Sequence, residues 1–317
     1  MEHVRRLKRR EFLKQALLIS GGAAIGEHIE LSAQGEAPRV AVTFDDFNVY
    51  DFAALPGPAR NMVILDVLRA NRLKTAVFPV GRHLEDADKM RLLALWSDAG
   101  HIVGNHTYSH RRYSRADFDE FTEDILRNEQ LLASLPQFRK WFRFPLLDEG
   151  VTDEQRDAIR VFLADSGYRN AQVTIDASDW YIDGRLRTRL DRDAGADVSP
   201  YREFYLDHIW QRATYYDRLS REVVGRSIPH TLLLHHNVLN GMFLTDLLRM
   251  FEGKGWQLVD AEQVYTDPIF EVHPEALPAG QSLIWSLAKA TGRFDGVLRY
   301  PGEDGAYEAP RMDSLGL

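Results

Sequence analysis

Two segments of the sequence combine carboxylates and imidazoles in a pattern that suits a metal site. The run Thr43-Phe44-Asp45-Asp46 places two adjacent carboxylates after an apolar stretch, and His106 and His110 lie four residues apart in GNHTYSH. Histidines at this spacing share one face of a helical turn, so both imidazoles can reach one cation. One carboxylate and two imidazoles form a facial triad that leaves positions open for water and substrate. The second carboxylate then lies where a general base must act.

Each of these signals also has an ordinary structural explanation when it is taken alone. Adjacent aspartates commonly cap a helix or hold a turn, and surface histidines at helical spacing are common. The chain contains no cysteine, which excludes disulfides, thiolate catalysis, cysteine-ligated zinc and iron–sulfur clusters. Any metal must therefore be held by histidine and carboxylate side chains.

Three further segments follow at the ends of predicted strands: Arg143-Phe144-Pro145, Asp176-Ala177-Ser178-Asp179-Trp180 and Leu232-Leu233-Leu234-His235-His236. With these five motifs in this order, over roughly residues 39–260, the chain resembles the NodB-homology polysaccharide deacetylases, carbohydrate esterase family 4. The motifs TFDD and NHTYSH match the family pattern nearly literally. The resemblance implies a hydrolase of carbon–nitrogen bonds that removes acetyl groups from an N-acetylated, or O-acetylated, polysaccharide or oligosaccharide.

The resemblance also implies the metal ligands and the two groups that move protons. The ligands would be Asp46, His106 and His110. Asp45 would be the general base acting on the metal-bound water, and His235 the general acid that protonates the leaving amine. Zinc is the expected ion, and this donor set also accepts cobalt, nickel or iron. In the doublet, His235 is preferred over His236 because it directly follows the apolar strand.

Supporting roles follow from the same resemblance. Arg143 would orient Asp45, and Asp179 would orient His235 or raise its basicity. The expected substrate contacts are Pro145, Leu146 through its backbone N–H at the oxyanion, and Trp180 beside the acetyl methyl group.

The elements that must hold these motifs alternate between strand and helix. Strands are predicted over 39–44, 75–80, 101–104, 141–144, 171–175, 231–234 and 257–259. Helices are predicted over 61–70, 88–99, 114–135 with Ser114 as the N-cap, 152–166 and around 243–251. This α/β alternation predicts parallel strands, and about seven units favour a closed barrel with its chemistry at the C-terminal strand ends. The family resemblance implies the same fold, a distorted (β/α)7-type barrel. Residues 183–226 interrupt the alternation with charged and aromatic residues at helical spacing, which predicts a helical insertion between the fourth and fifth motifs.

Residues 1–33 have the layout of an export signal. The run Arg9-Arg10-Glu11-Phe12-Leu13-Lys14 resembles a twin-arginine signal, and the apolar run over 15–25 is too short to span a bilayer. An exposed amphipathic helix is the alternative. We expect export to the periplasm or beyond, with cleavage after Ala33 or Ala37 and no transmembrane span afterwards. The expected mature chain has a deacetylase domain over 34–266, then a C-terminal helix and polar tail over 267–317.

Composition limits the class of partner. The 317 residues are 44% hydrophobic, enough for one large domain or two small ones. The net charge of −8 gives no electrostatic footprint for nucleic acid. The partner that the family resemblance implies is an acetylated glycan. A catalytically inactive NodB-like glycan-binding protein is the alternative function. A metallophosphatase is disfavoured because a two-metal site needs more ligands.

Overall fold

The computed structural model describes residues 37–299 and 302–317, so the predicted export signal lies outside the described residues. Within them, seven parallel strands form one sheet. They are β1 Arg39–Asp46, β2 Ala76–Pro79, β3 Ile102–Asn105, β4 Phe138–Phe142, β5 Arg169–Asn170, β6 Pro229–His235 and β7 Gln257–Leu258. The order is β5-β4-β3-β2-β1-β6, and β7 pairs with the beginning of β1.

The segment that follows β5 closes this sheet into a distorted barrel. While β5 itself pairs with β4, Ile175 forms a parallel bridge with Leu232 of β6. The backbone N–H of Ile175 donates to Thr231 O at 2.9 Å, and the N–H of Leu233 donates to Ile175 O at 3.1 Å. One extended segment thus pairs with both edges of the sheet, which confirms the predicted distorted (β/α)-barrel.

Ten helices lie in the described part of the chain. They are α1 Gly57–Ala70, α2 Ala87–Asp98, α3 Phe118–Leu132, α4 Asp153–Asp165, α5 Asp179–Arg192, α6 Ser199–Val224, α7 Val238–Gly253, α8 Ala261–Val264, α9 Leu283–Thr291 and α10 Gly305–Ser314. The predicted insertion between the fourth and fifth motifs consists of α5 and α6, which pack against each other and against α7. In the segment expected to be a polar tail, α10 begins where the Asp304 carboxylate accepts from the N–H of Ala306 at 2.8 Å.

The predicted start of the third helix is wrong. The helix begins at Phe118 rather than Ser114, and the Asp117 carboxylate accepts backbone N–H bonds from its first turn. Ser114 lies in a short 3-10 turn, and its hydroxyl donates to the Asp148 carboxylate at 2.6 Å. Both residue types favour N-caps, but Asp117 adds a negative charge at the positive end of the helix dipole.

Buried apolar strands hold the rim of the barrel in place. In β1 every residue between Arg39 and Asp46 is buried, as expected for a parallel strand covered on both faces. A second apolar cluster, which includes Phe121, Phe142 and Phe144, joins α3 to the end of β4. Among the described helices, none has the length and apolar character needed to cross a membrane.

Candidate active site

A pocket of about 380 Å³ lies at the C-terminal ends of the strands, where barrel enzymes place their chemistry. This volume is in the range of small-molecule sites. The predicted residues that line it are Asp45, Asp46, His106, His110, Leu146, Trp180 and His235. β1 ends with the two aspartates, β3 ends one residue before His106, and β6 ends at His235. The parallel arrangement therefore brings segments far apart in sequence to one rim.

The three predicted metal ligands converge on one point. The Nε2 atoms of His106 and His110 lie 3.5 and 3.3 Å from Oδ1 of Asp46, and the three ligand atoms lie within 4.8 Å of one another. This carboxylate oxygen is buried and receives no hydrogen bond from the described residues. Buried polar atoms rarely lack partners. An unpaired carboxylate oxygen facing two imidazole nitrogens fits a divalent cation.

The local structure between the two histidines differs from the predicted helical turn. Residues 106–110 form a loop in which Thr107 and His110 have positive φ angles of 62° and 57°. The Thr107 hydroxyl accepts from the N–H of His110 at 3.0 Å, and the side-chain oxygen of Asn105 accepts from the N–H of Thr107 at 2.9 Å. These side-chain bonds hold a tight left-handed turn, so the helical geometry is wrong although both imidazoles reach Asp46.

Hydrogen bonding and burial prepare this triad for a cation. His106 Nδ1 donates to the carbonyl oxygen of Arg143 at 2.7 Å, which leaves the Nε2 lone pair for a metal. Burial would raise the pKa of Asp46, but the charges of His106, His110 and His235 hold the pKa of this carboxyl well below its usual value. Burial lowers the pKa of His110 to about 4. At neutral pH a carboxylate thus faces a neutral imidazole, as metal ligation requires.

Asp45 lies beside the triad and is paired with Arg143. Arg143 Nη1 lies 3.0 and 3.2 Å from the two Asp45 carboxylate oxygens. Both side chains are buried, and Asp45 Oδ2 lies 3.9 Å from His106 Nε2. A two-point contact of this kind fixes the orientation of the carboxylate. The structure thus places Arg143 where a group that orients Asp45 must lie.

A second pair, His235 and Asp179, lies at the end of β6. His235 Nδ1 is 2.7 Å from Asp179 Oδ1, and Asp179 Oδ2 accepts from the N–H of His235 and from the side-chain amides of Asn237 and Asn240 at 2.8–3.0 Å. Burial lowers the pKa of His235, but the charge and hydrogen bond of Asp179 outweigh it and raise the pKa to about 10. Asp179 thus favours the protonated form of the ring. The two asparagines were missed in the sequence; their proximity to the histidine doublet is the only local signal.

The second histidine of the doublet points away from the pocket. His236 is fully buried, with Nδ1 2.9 Å from the carbonyl oxygen of Asn48 and Nε2 3.1 Å from Oδ1 of Asn61. His236 lies one residue past the end of β6, and these two contacts hold its ring away from the pocket, so only His235 enters it.

Two apolar side chains form part of the pocket wall. Trp180 is 47% exposed and Leu146 is 50% exposed, and both line the cavity. Leu146 has a φ of 57°, in the left-handed region, within a short turn that begins with the buried Pro145. These residues lie where an apolar group of a substrate would contact the protein.

Residues that sequence reasoning did not assign to the site complete the wall. They include Arg112, Asp176, Gln281, Glu303 and Asp304. Glu303 is held between Arg212 and Arg299, with contacts of 2.6 and 2.8 Å. Burial raises the pKa of Asp176 to about 6 and that of Glu303 to about 7. No local pattern indicated the contribution of the C-terminal segment, since it depends on how that segment folds back over the barrel.

Residues 32–169 match the family model described as polysaccharide deacetylase. Over these residues, the chain is similar to the polysaccharide deacetylase family. The matched span contains the first three motifs, whereas the Asp179 and His235 motifs lie beyond it.

Two curated proteins that are similar to this chain carry named activities. The chain is 24% identical over 204 residues to a peptidoglycan-N-acetylglucosamine deacetylase of Bacillus cereus, covering 64% of this chain and 57% of the relative. It is 29% identical over 150 residues to a chitooligosaccharide deacetylase of Rhizobium leguminosarum bv. trifolii, covering 46% of this chain and 65% of the relative. The chain thus spans less than two thirds of the length of either relative.

Solved structures of family 4 carbohydrate esterases also match. A family 4 carbohydrate esterase from Streptomyces lividans, in complex with acetate, aligns with a TM-score of 0.46 and 22% identity over 70% of this chain and 91% of that one. A family 4 pseudoenzyme from Bacillus anthracis aligns with a TM-score of 0.49 and 17% identity over 72% of this chain and 66% of that one.

Proposed function

We propose that this protein is a metal-dependent hydrolase that removes acetyl groups from an N-acetylated glycan. The observation that carries the proposal is that one pocket brings together the Asp46–His106–His110 triad, Asp45 and His235. The family match supports the reaction class. The names of the two curated relatives favour glycans built from N-acetylglucosamine as substrates.

Asp45 and His235 each carry out one proton transfer of the reaction. A divalent cation, with zinc expected, would be held by Asp46, His106 and His110 and would supply a lowered water pKa and a positive charge for the carbonyl oxygen. Asp45, oriented by its ion pair with Arg143, accepts a proton from the attacking water.

His235 completes the reaction at the leaving group. Asp179 fixes its Nδ1 and keeps the ring protonated, so Nε2 donates a proton to the departing nitrogen. Trp180 and Leu146 give the acetyl methyl group an apolar surface, and the backbone N–H of Leu146 is proposed as an oxyanion donor. The products are acetate and a free amine on the sugar.

We also propose that the protein is exported through the twin-arginine route. The support is the sequence Arg9-Arg10-Glu11-Phe12-Leu13-Lys14 and the mild apolar run after it. A peptidoglycan or extracellular glycan substrate would be met on that side of the membrane.

Acetate release tests the proposed function directly. Purified protein is stripped with a chelator, divided, and either left metal-free or reloaded with zinc, and both samples are incubated with peptidoglycan, chitooligosaccharides and an O-acetylated glycan. We expect zinc-dependent acetate release from at least one N-acetylated glycan, with the Asp45→Asn variant as the inactive control. Glycan binding without acetate release by the zinc-loaded protein would favour the inactive glycan-binding alternative.

A further inference from the structure

The guanidinium of Arg143 has an acceptor for each of its five N–H groups. Nε donates to the carbonyl oxygen of Ala171 at 2.6 Å, and Nη1 faces both oxygens of Asp45. Nη2 donates to the hydroxyl oxygens of Thr43 at 3.3 Å and Tyr265 at 3.2 Å. Because the group is fully buried, each lost acceptor leaves an unpaired donor that water does not readily reach.

The direction of the Tyr265 hydroxyl is settled by its second partner. It donates to the carbonyl oxygen of Gln172 at 3.0 Å, so its lone pairs remain for Arg143. Burial raises the pKa of Tyr265, which keeps the hydroxyl neutral and able to donate. The ring is held by Trp141 and Phe270, each with its centroid 4.7 Å away. The hydroxyl oxygen is therefore a fixed acceptor rather than a rotating one.

We propose that Tyr265 is a positioning residue that sets the orientation of Asp45 through Arg143. Tyr265 follows α8, 122 residues after Arg143, and lies beyond the residues that match the family model. Together with Thr43 it fixes the Nη2 side of the guanidinium, and the planarity of that group then fixes the Nη1 side that faces Asp45. The inference rests on the proposed function, since it assigns Asp45 a reacting role.

The Tyr265→Phe variant tests this proposal because it keeps the ring and its packing. We expect kcat for acetate release to fall about 10-fold or more, since a misoriented base is costly in rate. KM and zinc affinity should stay near the wild-type values because Tyr265 contacts neither the pocket nor the triad. The matched control is Tyr215→Phe, which removes a hydroxyl that also donates to a backbone carbonyl at 3.0 Å, that of Val297.

Making Tyr265→Phe in the Arg143→Lys variant as well distinguishes a positioning role from general destabilisation. In Arg143→Lys the planar fork is already lost, so adding Tyr265→Phe should cause little further loss of kcat. A wild-type kcat in Tyr265→Phe, or an equal fold-loss in both backgrounds, would overturn the proposal. Equal losses in the Tyr215→Phe control would do the same.

A measurement without turnover keeps this inference distinguishable from the proposed function. Unfolding free energies of Tyr265→Phe, Arg143→Lys and the double variant should be non-additive, since the two side chains share a buried hydrogen bond. If the wild type releases no acetate from any glycan, the proposed function fails, and this cycle alone decides whether Tyr265 holds Arg143. Additive free energies would refute the contact.

Discussion

Replacing Asp179 should lower the pKa of His235 by an amount that can be bounded from the structure of the pair. The pKa of His235 is raised from 6.5 to about 10, a difference of roughly 3.5 units, against a burial effect that acts in the opposite direction. Asp179 provides the largest raising effects, by charge and by a 2.7 Å hydrogen bond. Replacing it with asparagine removes the charge, so the pKa of His235 should fall by at least about 2 units.

The pH profile of kcat/KM is the assay. A cation at the triad offsets the charges of Asp45 and Asp46, which also raise this pKa, so the alkaline limb of the metal-loaded enzyme should lie below pH 10. In the Asp179→Asn variant this alkaline limb should lie at least ~2 pH units lower than in the wild type. At pH values above the wild-type limb, kcat/KM of the variant should therefore be about 100-fold lower. The loss should be much smaller at pH 6.

A second histidine–aspartate pair, in which the histidine is buried, provides the control. His230 Nε2 lies 3.4 Å from Asp217 Oδ1 near the beginning of β6, away from the pocket. Asp217→Asn should leave the alkaline limb in place. If Asp179→Asn leaves the limb unmoved, or if Asp217→Asn moves it equally, His235 is not the acid that Asp179 controls.

The same pair makes stability depend on pH. The folded pKa of His235 lies above its unfolded value. The contribution of the pair to the free energy of unfolding is therefore fully present below pH ~6.5 and is lost as the pH rises through the folded pKa of about 10. In urea unfolding of the metal-free proteins, the free energy of unfolding of Asp179→Asn should therefore fall further below that of the wild type at pH 6 than at pH 9.5.

Three further predictions concern the base, the histidine doublet and export. Asp45→Asn should lose about 10²–10⁴-fold in turnover while zinc measured by metal analysis stays at one equivalent, and loss of zinc would show that Asp45 is a ligand. His235→Ala should lose turnover to a similar extent, whereas His236→Ala should lower Tm and leave kcat of the folded protein near wild type; the reverse order would exchange their roles. Replacing Arg9 and Arg10 with lysine should leave the precursor in the cytoplasm by fractionation, and normal export would refute the twin-arginine assignment.

The sequence was most informative where parallel strands end. Asp45, His106 and His235 each follow an apolar run, and the geometry of a parallel barrel carries such positions to one rim whatever their separation in sequence. Six of the seven strands were therefore predictable with errors of a few residues at their ends. The fifth was predicted over 171–175, but β5 is Arg169–Asn170, and in the predicted range only Ile175 forms a bridge. The helix start at Ser114 was misplaced because Asp117 offers a competing cap three residues later.

Beyond Arg143 and Asp179, the residues that orient the catalytic groups were not predictable in the same way. Thr43 and Tyr265 contact Arg143 from strand β1 and from the turn after α8, and neither residue type nor spacing indicates that contact. The carboxylate of Glu303 lies in the pocket wall and forms ion pairs with Arg212 and Arg299. These ion pairs depend on how the C-terminal segment folds against the rest of the chain. A pattern read along the chain shows which groups can react, because those groups cluster in short motifs. The buried donors and acceptors that orient them are scattered, since any element that reaches the right position can supply one. For this reason the Tyr265 hydroxyl, rather than another motif residue, provides the stricter test of how the site is held together.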